Sequence, residues 1–108
     1  MDSEKQVEKF LKDETERRGG ICYKFVSPGR VSVPDRIVIL SGIIAFVECK
    51  GEGGKVNPKQ HRELQRLADL KMNVFVVTTK AEVTEVIRRM MEYVILQEST
   101  PIPEASNN

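Results

Sequence analysis

The sequence predicts one α/β domain, in which a small mixed sheet is flanked by helices in the order α-β-β-β-α-β-α. Its length of 108 residues is suited to a single domain with a modest core. Three segments have apolar residues at helical spacing, and β-branched runs lie between them. Neither a repeat nor a linker divides the chain, so we expect a domain over residues 1–97 and a disordered tail over residues 98–108.

The three predicted helices each begin with a capping signal. These signals are Ser3 with Gln6, Asn57 followed by Pro58, and Thr79 with Glu82. The apolar stripe of the last helix includes Met90, Met91 and Val94. These three residues are suited either to the core or to an interface between protomers.

The composition, with 40% hydrophobic and 31% charged residues, is that of a soluble globular protein. No apolar run approaches the roughly 18–20 residues that cross a bilayer. The charged N-terminal segment lacks the apolar part of a secretory signal. A cytoplasmic protein without a membrane partner is therefore expected. The net charge of +1 counts against nucleic-acid binding through a strong overall field and leaves local basic patches as the alternative.

The segment DRIVILSGIIAFVECK contains two apolar β-branched runs separated by Ser41-Gly42, which is typical of a two-residue hairpin loop. Continuing the ladder away from this loop places Asp35 directly opposite Glu48. Lys50 shares the face of Glu48, because side chains alternate along a strand. A slip of one residue would move Asp35 off that face. The hairpin therefore predicts two acids and one base together.

Two opposed carboxylates have Cβ atoms roughly 4.5–5.5 Å apart and repel each other. Either one of them takes up a proton, or a cation lies between them. Lys50 supplies part of that charge, and Mg²⁺ or Mn²⁺ would supply more, because these ions prefer carboxylate oxygens. The alternative is that Asp35, Glu48 and Lys50 are solvent-facing charges at strand ends, with an ion pair worth about 0–1 kcal/mol.

The motifs Pro34-Asp35 and Glu48-Cys49-Lys50 resemble the PD-(D/E)xK nuclease signature, and the order of elements is similar to the restriction-endonuclease-like core of that superfamily. Within it, the chain most resembles the VRR-NUC family, the virus-type replication-repair nuclease domain. Glu8 on the first helix, the glycines after Lys50 and Gln60 on the second helix carry this likeness, which spans nearly the whole chain.

The resemblance implies a metal-dependent endonuclease that cleaves branched, flap or Holliday-junction DNA in the cytoplasm of a bacterial or phage-infected cell. Mg²⁺ or Mn²⁺ is the implied cofactor, with no organic cofactor. A homodimer is expected, because symmetric pairing is the simplest way to cut two strands. Two other functions stay open: a non-catalytic nucleic-acid-binding module with this fold, and a small α/β protein that acts only through protein contacts.

The resemblance also implies roles for individual residues. The implied catalytic residues are Glu8, Asp35, Glu48, Lys50 and Gln60. The implied metal ligands are Asp35, Glu48, the backbone carbonyl of Cys49, and Glu8 directly or through water. The alternatives are a solvated charge for Glu8 and an exposed first-turn residue for Gln60. We expect the thiol of Cys49 on the opposite side of the sheet.

Seven further residues are weaker candidates for contact with the DNA backbone. They are Lys24, Arg30, Arg36, Lys55, Lys59, His61 and Arg62. Ordinary surface charge is the alternative for each of them. The glycine-rich segment GEGG after Lys50 is predicted to leave room for a phosphate backbone to approach.

Overall fold

The computed structural model describes residues 1–92, and its elements follow the predicted order. They are α1 (Glu4–Arg17), β1 (Ile21–Lys24), β2 (Arg36–Leu40), β3 (Ile43–Cys49), α2 (Pro58–Asp69), β4 (Asn73–Val77) and α3 (Lys80–Glu92). None of the helices described is long and apolar enough to cross a membrane. Val94, the end of the predicted domain at residue 97 and the predicted tail lie outside the described residues.

Side chains at the helix starts satisfy backbone groups that would otherwise lack partners. The Ser3 hydroxyl accepts from the Gln6 N–H at 3.1 Å, and Gln6 Oε1 accepts from the Ser3 N–H at 2.9 Å. At α3, Thr79 accepts from the Glu82 N–H at 3.1 Å, but the Glu82 carboxylate accepts from the Thr78 N–H instead of closing the box. The predicted capping box is therefore complete at α1 and half-formed at α3.

The sheet has the strand order β1-β2-β3-β4, with β1, β2 and β3 antiparallel and β4 parallel to β3. The predicted mixed sheet is confirmed. The β2–β3 ladder pairs Leu40 with Ile43 and ends at Arg36 with Val47, which is the predicted register. Ser41 and Gly42 both have positive φ, 54° and 77°, as a type I′ hairpin turn requires.

Helices α1 and α3 pack against each other on one face of the sheet, where the core lies. Strand side chains on that face are buried against apolar side chains of the two helices. The main contributors are Val7, Leu11, Val38, Ala45, Val47, Cys49, Val77, Val83 and Ile87. Met90 is also part of this core, whereas Met91 is exposed. The thiol of Cys49 faces this core, as its alternation with Glu48 predicted.

Among residues 1–92, the elements cover the other face of the sheet only in part, because α2 contacts the sheet at β4. Apolar side chains of β1, β2 and β3 are left facing solvent there. We call this surface the open sheet face and define it by Ile21, Tyr23, Ile37, Ile39, Ile44 and Phe46. Ile21, Tyr23 and Ile44 are 45%, 55% and 50% exposed. Patches of this kind commonly mark interaction surfaces.

Candidate active site

The two predicted acids meet at the end of the β2–β3 hairpin. Asp35 directly precedes β2, one step beyond the Arg36–Val47 pair, and therefore lies beside Glu48. The Cys49 N–H donates to Asp35 Oδ2 at 2.8 Å and holds this carboxylate against β3. Glu48 is only 2% exposed. The hairpin thus brings one half-buried and one buried carboxylate together.

Burial and the neighbouring Asp35 carboxylate raise the pKa of Glu48 to about 7. Lys50 opposes this shift, since its Nζ lies 3.5 Å from Glu48 Oε2. The Lys50 N–H donates to the Val77 carbonyl at 2.9 Å, which fixes the backbone of Lys50 at the end of β4. One ammonium partly compensates two carboxylates, so the site remains short of positive charge.

Gln60 links helix α2 to the acid pair through both ends of its amide. Its Oε1 accepts from the Asn57 N–H at 2.9 Å, while the Asn57 side chain accepts from the Gln60 N–H at 2.8 Å. This reciprocal capping box fixes the amide, and its Nε2 then donates to Glu48 Oε2 at 3.1 Å. Gln60 therefore has an inward contact and is not simply an exposed first-turn residue.

The glycines after Lys50 are required by packing within the protein. A Cβ on Gly51 would lie 3.0 Å from the Glu4 nitrogen, and one on Gly54 would lie 2.9 Å from the Gly51 carbonyl oxygen. Gly53 has a φ of +81°, which favours glycine. These contacts and this dihedral angle account for the three glycines within the fold, and the predicted room for DNA stays a prediction.

The N-terminal residues hold this glycine-rich segment in place. The Asp2 carbonyl accepts from the Glu52 N–H at 2.9 Å, and the Asp2 N–H donates to Glu52 Oε2 at 3.2 Å. The Asp2 carboxylate also accepts from the Lys80 N–H at 2.9 Å, at the start of α3. Asp2 therefore ties the chain after Lys50 to the layer formed by α1 and α3.

Glu8 does not join the acid pair. Its Oε1 accepts from Arg36 Nε at 2.8 Å, on the face of the sheet that α1 covers. Arg36 is only 8% exposed, so the prediction that it is a surface cation available to DNA is wrong. The physical reason is the register: Arg36 opposes Val47 and points into the core, where only a carboxylate partner compensates its charge.

The other predicted cations are placed at the surface. Those with exposed side chains are Lys24, Arg30, Lys55, Lys59, His61 and Arg62. Within residues 1–92, Arg30 is the one among them with a charged partner, Glu63. Their exposure is compatible with contact to DNA or with ordinary solvated charge.

Two features of α2 that shape the site were missed in the sequence analysis. Glu63 is buried on α2 and pairs with two arginines, although glutamate is normally a surface residue. The capping box between Asn57 and Gln60 was missed as well. Its spacing in NPKQ equals that of Ser3 and Gln6, so the pattern was available in the sequence.

The donor set is compatible with a hard divalent ion. Within residues 1–92, no cluster of three or more His, Cys, Asp or Glu side chains is arranged to hold a metal. Asp35 and Glu48 offer carboxylate oxygens, and Mg²⁺ is commonly bound through one or two carboxylates with water completing its shell. The raised pKa of Glu48 indicates a site that lacks positive charge. These residues therefore fit an ion of the Mg²⁺ type.

The metal-free protein should lose stability as pH rises from 4.5 to about 7. The folded-state pKa of Glu48 lies above its ordinary value of 4.5, so the folded protein keeps a proton that the unfolded chain releases. This stabilisation is complete below pH 4.5 and is lost above pH 7, a change of about 2–3 kcal/mol. Glu48→Gln removes this contribution. Urea unfolding in EDTA at pH 5 and pH 8 measures it, and identical pH dependence in both proteins would contradict the assignment.

Gln60→Glu should destabilise the protein at pH 8 more than at pH 5, by about 1–2 kcal/mol. The new carboxylate still accepts from the Asn57 N–H, but it donates nothing to Glu48 and adds a like charge beside it. Gln6→Glu is the matched control, since Gln6 has the same capping position in α1. Thermal unfolding at both pH values should show the pH-dependent loss for position 60 alone.

Comparisons with known proteins identify the family of the chain. Residues 6–81 match the VRR-NUC domain. "Putative nuclease p44" of Acyrthosiphon pisum secondary endosymbiont phage 1 is 51% identical over 78 residues, which cover 71% of this chain and 84% of that protein. A solved structure of a VRR_NUC domain is 39% identical with a TM-score of 0.74, and the match covers 82% of this chain and 97% of the other. The chain belongs to the VRR-NUC family of nuclease domains.

Proposed function

We propose that this nuclease is a divalent-metal-dependent endodeoxyribonuclease that hydrolyses phosphodiester bonds in branched, flap or Holliday-junction DNA. The observation that carries the proposal is the buried Glu48 carboxylate beside Asp35, with the Lys50 ammonium 3.5 Å away. Acids and a base converge here at the end of a mainly apolar hairpin. Membership of a nuclease family supports a hydrolytic use of this cluster.

Asp35 and Glu48 would hold Mg²⁺ or Mn²⁺, with the carbonyl of Cys49 as a further oxygen donor. When bound, such an ion polarises a phosphodiester and lowers the pKa of water. The chain fixes its own donors beforehand: the Cys49 N–H holds Asp35, and Gln60 holds Glu48. This arrangement needs no organic cofactor.

Lys50 and Gln60 have separate tasks in the proposed reaction. The Lys50 ammonium orients the attacking water and stabilises negative charge that develops on the scissile phosphate. Gln60 keeps Glu48 Oε2 in one position through the fixed amide of its capping box. Glu8 would not hold the metal ion directly, because its carboxylate is paired with Arg36.

The state of the cysteines favours the cytoplasm as the compartment in which the protein acts on DNA, and the net charge bears on how DNA is recognised. Cys22 and Cys49 are buried free thiols, which suits a reducing compartment. The net charge of +1 provides little general attraction for DNA, so recognition depends on local cations and on shape. Branched DNA, the substrate class that the resemblance to VRR-NUC nucleases implies, offers such a shape.

Lys50→Ala should lower cleavage of a synthetic four-way junction by about 10²-fold or more in Mg²⁺ or Mn²⁺. The reason is loss of the ammonium beside the reacting phosphate, with the carboxylates intact. Junction binding and metal binding, measured by fluorescence anisotropy and calorimetry, should change little. Lys12→Ala, on the solvent side of α1, is the control.

Cleavage that persists in Lys50→Ala would remove this lysine from the mechanism. Absence of cleavage by the unaltered protein in every metal, on flap, junction and linear DNA, would contradict the endonuclease proposal. Junction binding without any cleavage would instead identify a non-catalytic nucleic-acid-binding module.

We further propose that the active form is a homodimer joined through the open sheet face. Two copies would place two sites on two strands of one branched substrate. The face offers Ile21, Tyr23 and Ile44 as its exposed apolar centre. A stable interface buries about 800 Å² on each partner around such a centre. Met90 is buried in the core and is excluded as an interface residue.

Ile44→Asp should convert the dimer into a monomer, because it places a charge at the centre of the buried surface. Sedimentation velocity at micromolar concentration measures the change. Val26→Asp is the control, since Val26 is 79% exposed and lies outside the open sheet face. A monomeric unaltered protein would contradict dimerisation, and a dimeric Ile44→Asp variant would exclude this surface.

A further inference from the structure

A basic groove lies between α2 and the loop that joins β1 to β2. Its volume is about 510 Å³, and it is open to solvent. The charged side chains that line it are Arg30, Lys59, Arg62, Glu63 and Arg66. Four cations and one carboxylate give a local excess of three positive charges, whereas the whole chain carries +1. Positive charge is therefore concentrated at this groove.

Glu63 is a buried carboxylate that contacts both walls of the groove. Its side chain is 9% exposed, and its Oε2 accepts from Arg30 Nε at 2.9 Å and lies 3.7 Å from Arg66 Nε. Arg30 belongs to the loop and Arg66 to the helix, so one buried carboxylate ties the two walls together. Glu63 contacts Arg30 through Nε, so this hydrogen bond does not use the terminal amino groups of the arginine.

Both walls of the groove continue into the acid pair. The loop carrying Arg30 runs through Pro34 into Asp35. On α2, Gln60 contacts Glu48 and lies one helical turn before Glu63, so the two side chains are neighbours on one helix face. The groove and the acid pair are therefore neighbouring sites on one surface.

We propose that this groove binds a backbone phosphate of the DNA strand next to the scissile phosphate, and that Glu63 is a positioning residue for Arg30. The inference rests on the proposed nuclease function and adds a second phosphate site to it. Arginine suits this role because its planar guanidinium donates two hydrogen bonds to one phosphate. Contacts to phosphate carry no base information, so the site holds the strand regardless of sequence.

The test measures DNA binding by fluorescence anisotropy in EDTA, where cleavage does not occur. Arg62→Ala and Arg66→Ala should each weaken binding to a four-way junction by about fivefold to tenfold and reduce the slope of log affinity against log salt by about 0.9. The double variant should reduce the slope by no more than the same value of about 0.9, because both arginines neutralise one phosphate. Arg17→Ala is the matched control, since Arg17 is exposed and paired with Glu14 on α1.

The outcomes separate this inference from the proposed function. An unchanged salt slope in Arg62→Ala and Arg66→Ala would overturn the phosphate site, even if the unaltered protein cleaves DNA. A reduced slope would support the site, even if no cleavage were found. An equal effect of Arg17→Ala would show general charge attraction and would also overturn it.

The direction in which Glu63→Gln changes DNA affinity tests the positioning role. If Glu63 contributed only negative charge, its neutralisation would tighten DNA binding and steepen the salt slope. Positioning requires the opposite: binding weakens by about the same factor as in Arg30→Ala, and Glu63→Gln has no further effect in the Arg30→Ala background. Tighter binding, or additive losses in the double variant, would overturn the role. Thermal unfolding of each variant checks that the fold is retained.

Discussion

The register of the β2–β3 hairpin is the constraint on which the rest of the site depends. Ser41 and Gly42 both adopt positive φ and set a two-residue turn, which leaves no freedom in the pairing of the strands. Because Arg36 pairs with Val47, the next step must bring Asp35 to Glu48. A shift of one residue would exchange core and site faces along the hairpin, so apolar burial also protects the register.

This register brings two carboxylates together in a partly buried site, and the surrounding residues only partly offset the repulsion between them. Glu48 is buried beside a second carboxylate, and its pKa rises to about 7. Lys50 and the Gln60 amide provide one charge and one hydrogen bond, which orient Glu48 without neutralising the pair. A domain selected for stability alone would have an apolar residue here. An unfavourable arrangement of charges of this kind is expected where function requires it.

The sequence was sufficient for contacts that follow from local spacing. The capping box of Ser3 with Gln6 and the hairpin pairing depend on residues a few positions apart, so pattern alone predicted them. Contacts between distant elements were not predictable in the same way. Glu8 was expected at the metal site and Arg36 at the surface, and only the packing of α1 on the sheet makes them partners. Glu63 was missed for the same reason.

The glycine-rich segment after Lys50 shows what residue type alone leaves open. Glycine permits close approach of any backbone, and the sequence does not say which one. In the fold, the neighbour of Gly51 is the start of α1, and Asp2 binds the adjacent Glu52. The segment therefore helps to hold the backbone that follows Lys50 in place. Next to the acid pair, α2 and the Arg30 loop form a basic wall that offers a surface for DNA.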